Sequence, residues 1–262
     1  MDDVSGAAAP SEAAGAAPRL RATGLGVRFG GVRALVDLSL EVGDGQLVGL
    51  IGPNGAGKTT TIDALTGFVR HEGRVSIDGE DLSDEPPHRR AAAGLARTWQ
   101  SLELFDDLTI EENLRVAADR SSLVSTIGDL VRPSRPRPDD GVRWALDVLD
   151  LGAVAASYPP ELSLGRRKLA AVARALAARP SVLLLDEPAA GLDSSESLAF
   201  GSTLQRIVAH GTSILLIDHD MALVLGVCDH LYVLDFGRLI ASGPPDAVRA
   251  DPRVVAAYLG GS

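Results

Sequence analysis

The chain has 262 residues, 45% of them hydrophobic and 23% charged, with 25 Lys and Arg against 35 Asp and Glu for a formal net charge of -10. These proportions are those of an ordinary globular protein and exclude a disordered or collagen-like chain. An acidic chain with no basic run is poorly made for neutralising nucleic-acid phosphates. A single cysteine, Cys228, allows neither an intrachain disulfide nor a multi-cysteine metal site and fits a reducing compartment. No apolar run approaches the roughly 20 residues that span a bilayer, and Met1-Asp2-Asp3-Val4 lacks the basic start of a signal peptide. The expectation is a soluble, cytoplasmic chain.

Residues 1–18 are Ala, Gly, Ser, Pro and acid, with little to bury, and read as a disordered tail before a folded region at 19–262. Val36, Leu38, Leu40 and Val42 alternate with polar residues, as do Val75 and Ile77, and Asp78-Gly79 is a tight-turn pair. Both stretches are predicted to belong to an antiparallel sheet. Leu47–Ile51, Val182–Leu185, Ile214–Ile217 and Leu231–Leu234 are nearly continuous apolar runs, as expected of parallel strands covered on both faces. From about 101 to 167 the pattern changes. Thr109-x-x-Glu112 opens a helix, Val142, Leu146 and Leu149 share another helical face, and the Arg132–Pro138 run between them, with its repeated Pro, is a loop. The reading is an α/β fold with a parallel-sheet core, a small antiparallel β subdomain and an inserted helical subdomain.

Gly52-Pro53-Asn54-Gly55-Ala56-Gly57-Lys58-Thr59, with Thr60 next, joins the first apolar run to a helix carrying Ile62 and Leu65. Glycines let successive backbone N–H groups turn inward on phosphate oxygens, and the helix N-terminus adds its positive end. Lys58 supplies a charge for the terminal phosphates and the Thr59 hydroxyl a ligand for Mg²⁺. Lys58 and Lys168 are the only lysines, so a chance match to this pattern is improbable. The segment is read as a nucleotide site. The second long run ends in Asp186-Glu187-Pro188. Acids at the carboxyl end of such a strand lie where ligands bind: Asp186 can hold Mg²⁺ through its water shell, and Glu187 can polarise an attacking water.

Leu162-Ser163-Leu164-Gly165-Arg166 before a helix, Gly191-Leu192-Asp193 after the acid pair, His219 after the third run and Gln100 before the helical stretch complete an ordered set. With the phosphate loop, this set resembles an ATP-binding cassette (ABC) ATPase with a P-loop NTPase core, over residues 20 to 260. Val27–Leu35, Ala96–Gln100, Leu104–Thr109 and Ala257–Gly260 are similar to the ATPase subunits of branched-chain (hydrophobic) amino acid uptake systems, a group that also serves urea and amides and whose relatives carry other small organic acids. The resemblance implies an ATPase with ATP and Mg²⁺, working on the cytoplasmic face of a membrane. Its expected partners are a second ATPase subunit (a copy or a paralogue), integral permease subunits and, indirectly, a solute-binding protein.

It also implies roles. Two cassettes meet head to tail, so Ser163 and Gly165 touch the γ-phosphate held by the other subunit. Glu187 is the general base, and His219 holds phosphate and water in line. Gln100 approaches Mg²⁺ and the water and links the site to the permease. Asp193 ties the two sites together, and Phe29 stacks on adenine. Arg166 stands where the signature commonly has Gln, and Leu164 where it commonly has Gly. An exporter ATPase and a nucleotide-binding regulator without turnover are the competing readings. Leu102, Leu104, Phe105, Leu108 and Ile110 are either helical core or a groove for a permease helix, and Cys228 is a small buried apolar group. His71, His88, His210 and His230 have no metal-ligand spacing.

Overall fold

The computed structural model describes residues 17–99, 103–118 and 138–259. The tail before residue 17, Gln100, Leu102, the Arg132–Arg137 stretch and Gly260 lie outside the described residues.

A six-stranded sheet runs in the order β10-β9-β3-β8-β7-β6. Its members are β3 (Leu47–Ile51), β6 (Leu95–Arg97), β7 (Val182–Asp186), β8 (Ser213–Ile217), β9 (His230–Asp235) and β10 (Arg238–Gly243). All pairs are parallel except β9 with β10. Every residue of β3, β7 and β8 is buried, which explains why these strands are continuous apolar runs. Successive side chains point to opposite faces. Val48, Leu50, Leu184 and Ile217 therefore join one apolar cluster, and Leu47, Ile51, Leu185 and Leu216 the other.

The first cluster is closed by α1 (Lys58–Thr66) and a four-stranded antiparallel sheet in the order β2-β1-β4-β5. That sheet comprises β1 (Leu20–Phe29), β2 (Val32–Val42), β4 (Glu72–Ile77) and β5 (Glu80–Asp81). The two alternating stretches do not pair with each other: both flank β1, whose own alternation is broken by register shifts between Ala22 and Val27. Asp78 and Gly79 form the predicted two-residue turn, both at positive φ, as a type I′ hairpin requires.

The second cluster is covered by helices. Between β6 and β7 the chain leaves the sheet for α3 (Ile110–Ala118), α4 (Pro138–Val148) and α5 (Leu164–Leu176). α6 (Ser194–Ala209) and α7 (Met221–Val227) follow β7 and β8, and α8 (Pro245–Ala250) and α9 (Pro252–Leu259) close the described chain. The capping box is formed: Thr109 N–H donates to Glu112 Oε2 at 2.8 Å and Glu112 N–H to Thr109 Oγ1 at 3.3 Å. Ile110 and Leu114 then join Val142, Ala145, Val172 and Leu176 in this cluster. Each buried Val, Leu or Ile among them contributes about 1.5–3 kcal/mol. Cys228 is buried, and burial pushes its thiol well above the ordinary range, as befits an apolar role.

One buried cation holds the far end of α1. Arg90, from α2 (Pro87–Ala92), donates to the carbonyls of Ala64 and Leu65 at 2.8 Å each, of Ser83 at 2.8 Å and of Glu85 at 2.9 Å, and lies 3.1 Å from His71 Nε2. These carbonyls have lost water and depend on one planar guanidinium. Arg90→Ala is expected to lower stability by about 3 kcal/mol, read as a drop of roughly 6–12 °C in Tm. Arg90→Lys is expected to recover only part of it, because an ammonium cannot reproduce the fork.

Candidate active site

The carboxyl ends of β3, β7 and β8 meet at one edge of the large sheet, where ligands bind in open α/β folds. An open cavity of about 370 Å³ there is lined by Val32, Arg33, Ala34, Asn54, Gly55, Gly57, Lys58, Thr59, Thr60, Glu187 and Phe236. The loop from Gly52 to Gly57 leaves β3 and enters α1. Its curl needs glycine: Gly52 has φ 153° and a Cβ there would stand 2.2 Å from Leu234 O, while Gly57 has φ 107° and its Cβ would stand 2.9 Å from Ala34 O. Ala56 N–H donates to Pro53 O at 3.1 Å, closing the loop on itself. Lys58 Nζ donates to Gly52 O at 2.7 Å and Pro53 O at 3.1 Å, so its charge is held across the loop mouth. Burial lowers the Lys58 pKa, and the negative charges of Glu187 and Asp186 partly restore it. The loop's glycine-rich curl, this ammonium and the positive end of α1 suit a phosphate chain.

Asp186, the last residue of β7, is buried, and burial raises its pKa against the opposing pull of Arg97. Arg97 Nη1 bonds Asp63 Oδ1 of α1 at 2.5 Å and Arg97 Nη2 reaches Asp186 Oδ2 at 3.5 Å. Its guanidinium lies 4.0 Å over the Trp99 ring, which meets Phe68 edge-on at 5.2 Å between centroids. Arg97 thus ties the strand-end acid, the phosphate-loop helix and the segment leading to Gln100. The sequence reading had no signal for this network, since a three-residue strand carries no period and Asp63 sits on a helix face among Thr and Ala.

Glu187 lines the cavity with φ 48°, a strained backbone for a non-glycine residue. Its N–H donates to Ile217 O at 2.7 Å, which fixes it against β8. His219 Nδ1 is 3.9 Å from Glu187 Oε2 and 3.7 Å from Asp218 Oδ1, with the ring mostly exposed. Asp218 holds the backbone of this edge together, accepting from Ala189 N–H at 3.1 Å and Asp220 N–H at 3.0 Å. Lys168 of α5 is buried where Asp218 and Glu187 oppose the lowering of its pKa by burial.

Lys58, Thr59, Thr60, Asn54, Gly55, Gly57 and Glu187 are therefore brought to one cavity, with Asp186 and His219 beside them. Others of the expected set stand apart. Ser163 caps α5, accepting from Arg166 N–H at 3.4 Å, and neither it nor Gly165 lines the cavity. Asp193 caps α6, accepting from Ser195 and Glu196 N–H at 2.8 Å each, while Glu196 Oε2 accepts from Asp193 N–H at 3.1 Å. Phe29 ends β1 opposite Val32 and is 53% exposed outside the cavity lining. Gln100 lies outside the described residues. The Leu104–Ile110 cluster divides: Ile110 is core, Leu104 packs against it in part, and Phe105 is exposed with Arg174 5.3 Å over its ring. Among the histidines, His71 bonds Arg90, His210 lies 2.8 Å from Arg206 O, and His230 lies 2.7 Å from Ser242 Oγ.

A family model described as ABC transporter matches residues 35–190, and one described as branched-chain amino acid ATP-binding cassette transporter matches residues 238–262. The chain is 37% identical over 251 residues to the high-affinity branched-chain amino acid transport ATP-binding protein BraF of Pseudomonas aeruginosa, covering 93% of this chain and 98% of BraF. It is 35% identical over 242 residues to the lipopolysaccharide export system ATP-binding protein LptB of Haemophilus influenzae, covering 92% of this chain and 97% of LptB. Among solved structures, the ADP conformation of an ATP-binding cassette of an ABC transporter superposes with a TM-score of 0.81 at 31% identity, covering 93% of this chain and 99% of that one.

Proposed function

The chain belongs to the ABC transporter family of ATP-binding cassettes, and from that premise we propose that it is the ATP-hydrolysing subunit of an importer for branched-chain or similar small amino acid-like solutes. The observation that carries this reading is the meeting of the phosphate loop with Lys58 and Glu187 in one cavity at the carboxyl ends of three buried strands, with Asp186 at the end of β7 next to Glu187. The match over residues 238–262 favours import of branched-chain amino acids. The likeness to LptB supports export as a second reading.

In this reading the loop N–H groups and Lys58 hold the β- and γ-phosphates of ATP. Glu187 takes the proton of the attacking water as it moves in line on the γ-phosphorus, and His219 orients phosphate and water. Catalysis rests mainly on positioning and charge neutralisation. The Thr59 hydroxyl and the Asp186 carboxylate are hard oxygen donors at the phosphate end, which suits Mg²⁺. When bound, Mg²⁺ would supply charge neutralisation to the phosphates.

The remaining surface of the nucleotide is assigned to Ser163 and Gly165 of a second cassette, a copy of this chain or a paralogue. Gly165 supports this. Its φ is ordinary, and a Cβ there would meet Glu196 Oε1 at 3.7 Å and Leu192 Cδ2 at 3.8 Å, which is normal contact. A glycine inside a helix costs about 1 kcal/mol relative to alanine, and nothing in the subunit's own packing requires it here, which supports a close approach from outside the chain.

Among the described residues no helix is long and apolar enough to cross a membrane, and the likeness to ATP-binding proteins of transport systems supports an integral permease as the partner. This reading assigns the permease contact to the cleft lined by Arg97, Thr98, Trp99, Glu103 and Arg174. Arg97 Nε, Thr98 Oγ1 and Arg174 Nε are buried there with no hydrogen-bond partner among the described residues. Deleting the gene is expected to lower uptake of labelled leucine by about tenfold or more, with restoration by the intact gene and not by Lys58→Ala. Unchanged uptake, with lipid export lost instead, would favour the second reading.

A further inference from the structure

The turn between β9 and β10 carries Phe236, which is 84% exposed. Its φ is 42°, in the left-handed region. The other described non-glycine residues there, Asp37, Asp78, Glu103, Asp150, Arg179 and Glu187, are all polar. A large apolar ring thus bears two costs, solvent exposure and backbone strain, at a position that lines the nucleotide cavity.

The turn is held in place. Gly237 N–H donates to Ala56 O at 2.9 Å, and Gly237 O accepts from Val36 N–H at 2.8 Å, so the turn is fastened to the phosphate loop on one side and to β2 on the other. A Cβ on Gly237 would stand 2.4 Å from Ala34 O, so no other residue allows this approach. Phe236 therefore projects from a fixed backbone beside Val32 and Ala34. That stretch of wall offers the apolar side chains of Val32 and Ala34 with Arg33 between them, whereas the glycine-rich curl and Lys58 that suit phosphate are at the loop. The chemistry of the wall fits the ribose and base.

We propose that Phe236 is a nucleoside-binding residue of the ATP site, its ring packing against the sugar–base portion of the bound nucleotide. This rests on the reading of the cavity as the ATP site. Stacking of a base on an aromatic ring is worth enough to change affinity about tenfold. Phe236 would then set affinity for nucleosides without taking part in phosphoryl transfer.

Calorimetric titration with ATP, ADP and inorganic tripolyphosphate tests this. Phe236→Ala is expected to weaken ATP and ADP about tenfold and to leave tripolyphosphate unchanged, while Phe236→Trp stays near the starting affinity. Phe236→Asn suits a left-handed backbone, so it should fold at least as well and lose nucleoside affinity equally. Unchanged ATP affinity in both the Ala and Asn variants would overturn the proposal. So would a weakening of tripolyphosphate equal to that of ATP, which would mark a distorted phosphate loop. Loss of self-association with ATP affinity intact would also overturn it, assigning the ring to the contact with a second cassette. Failure of the unaltered chain to bind ATP or tripolyphosphate would overturn the ATP-site reading itself.

Discussion

Glu187→Gln is expected to slow ATP hydrolysis by about 10²–10³-fold while changing ATP affinity less than about twofold. Glutamine keeps the size of the side chain and a carbonyl acceptor but cannot take a proton. The phosphate-holding groups, Lys58 and the loop N–H donors, are untouched, so ground-state binding should survive. The backbone at 187 is fixed by the bond to Ile217 O at 2.7 Å and does not depend on the side-chain charge. Phosphate release under saturating ATP measures the rate, and calorimetry measures the affinity. Hydrolysis at the unaltered rate would remove Glu187 from the role of base.

Gly165→Asp is expected to lower hydrolysis by at least about 10²-fold with the single chain's stability not reduced and its ATP affinity unchanged. The direction of the stability effect separates the two functions of this helix end. A carboxylate in the first turn of α5 is favourable to the helix dipole, which offsets the like charge of Glu196, whose Oε1 would stand 3.7 Å from a Cβ at 165 in ordinary contact. Any loss of activity therefore arises from what approaches from outside, where the new charge faces a triphosphate. Gly165→Ala is the control, with a helix up to about 1 kcal/mol more stable and a smaller loss of rate. A Gly165→Asp protein that hydrolyses ATP normally would mean that this helix end meets no nucleotide.

The strands that matter most for the site were legible because they are buried on both faces. Leu47–Ile51 and Val182–Leu185 have no alternation to confuse and end at the phosphate loop and the acid pair. The turn at Asp78-Gly79 and the capping box at Thr109 were legible because each is set by local hydrogen bonding. β1 was hidden by its register shifts, and β6 and β10 by shortness and an exposed edge. The Arg97–Asp63–Asp186 network depends on residues far apart in sequence meeting at one point, and no local pattern encodes that. Phe236 escaped notice because an aromatic before a glycine reads as an ordinary turn. Only the fold reveals that this turn is bonded to the phosphate loop.

The claim on which the rest depends is that the ATP site is finished by a second cassette. The mass of Glu187→Gln protein in solution at saturating ATP, measured by light scattering with the chain alone or with a paralogous cassette, tests it most directly. The mass of two cassettes is expected with ATP and that of one without it, and the doubly substituted Glu187→Gln, Gly165→Asp protein is expected to stay single while binding ATP equally well. A Glu187→Gln protein that remains a single cassette when saturated with ATP, or a Gly165→Asp substitution that leaves the doubling intact, would contradict it.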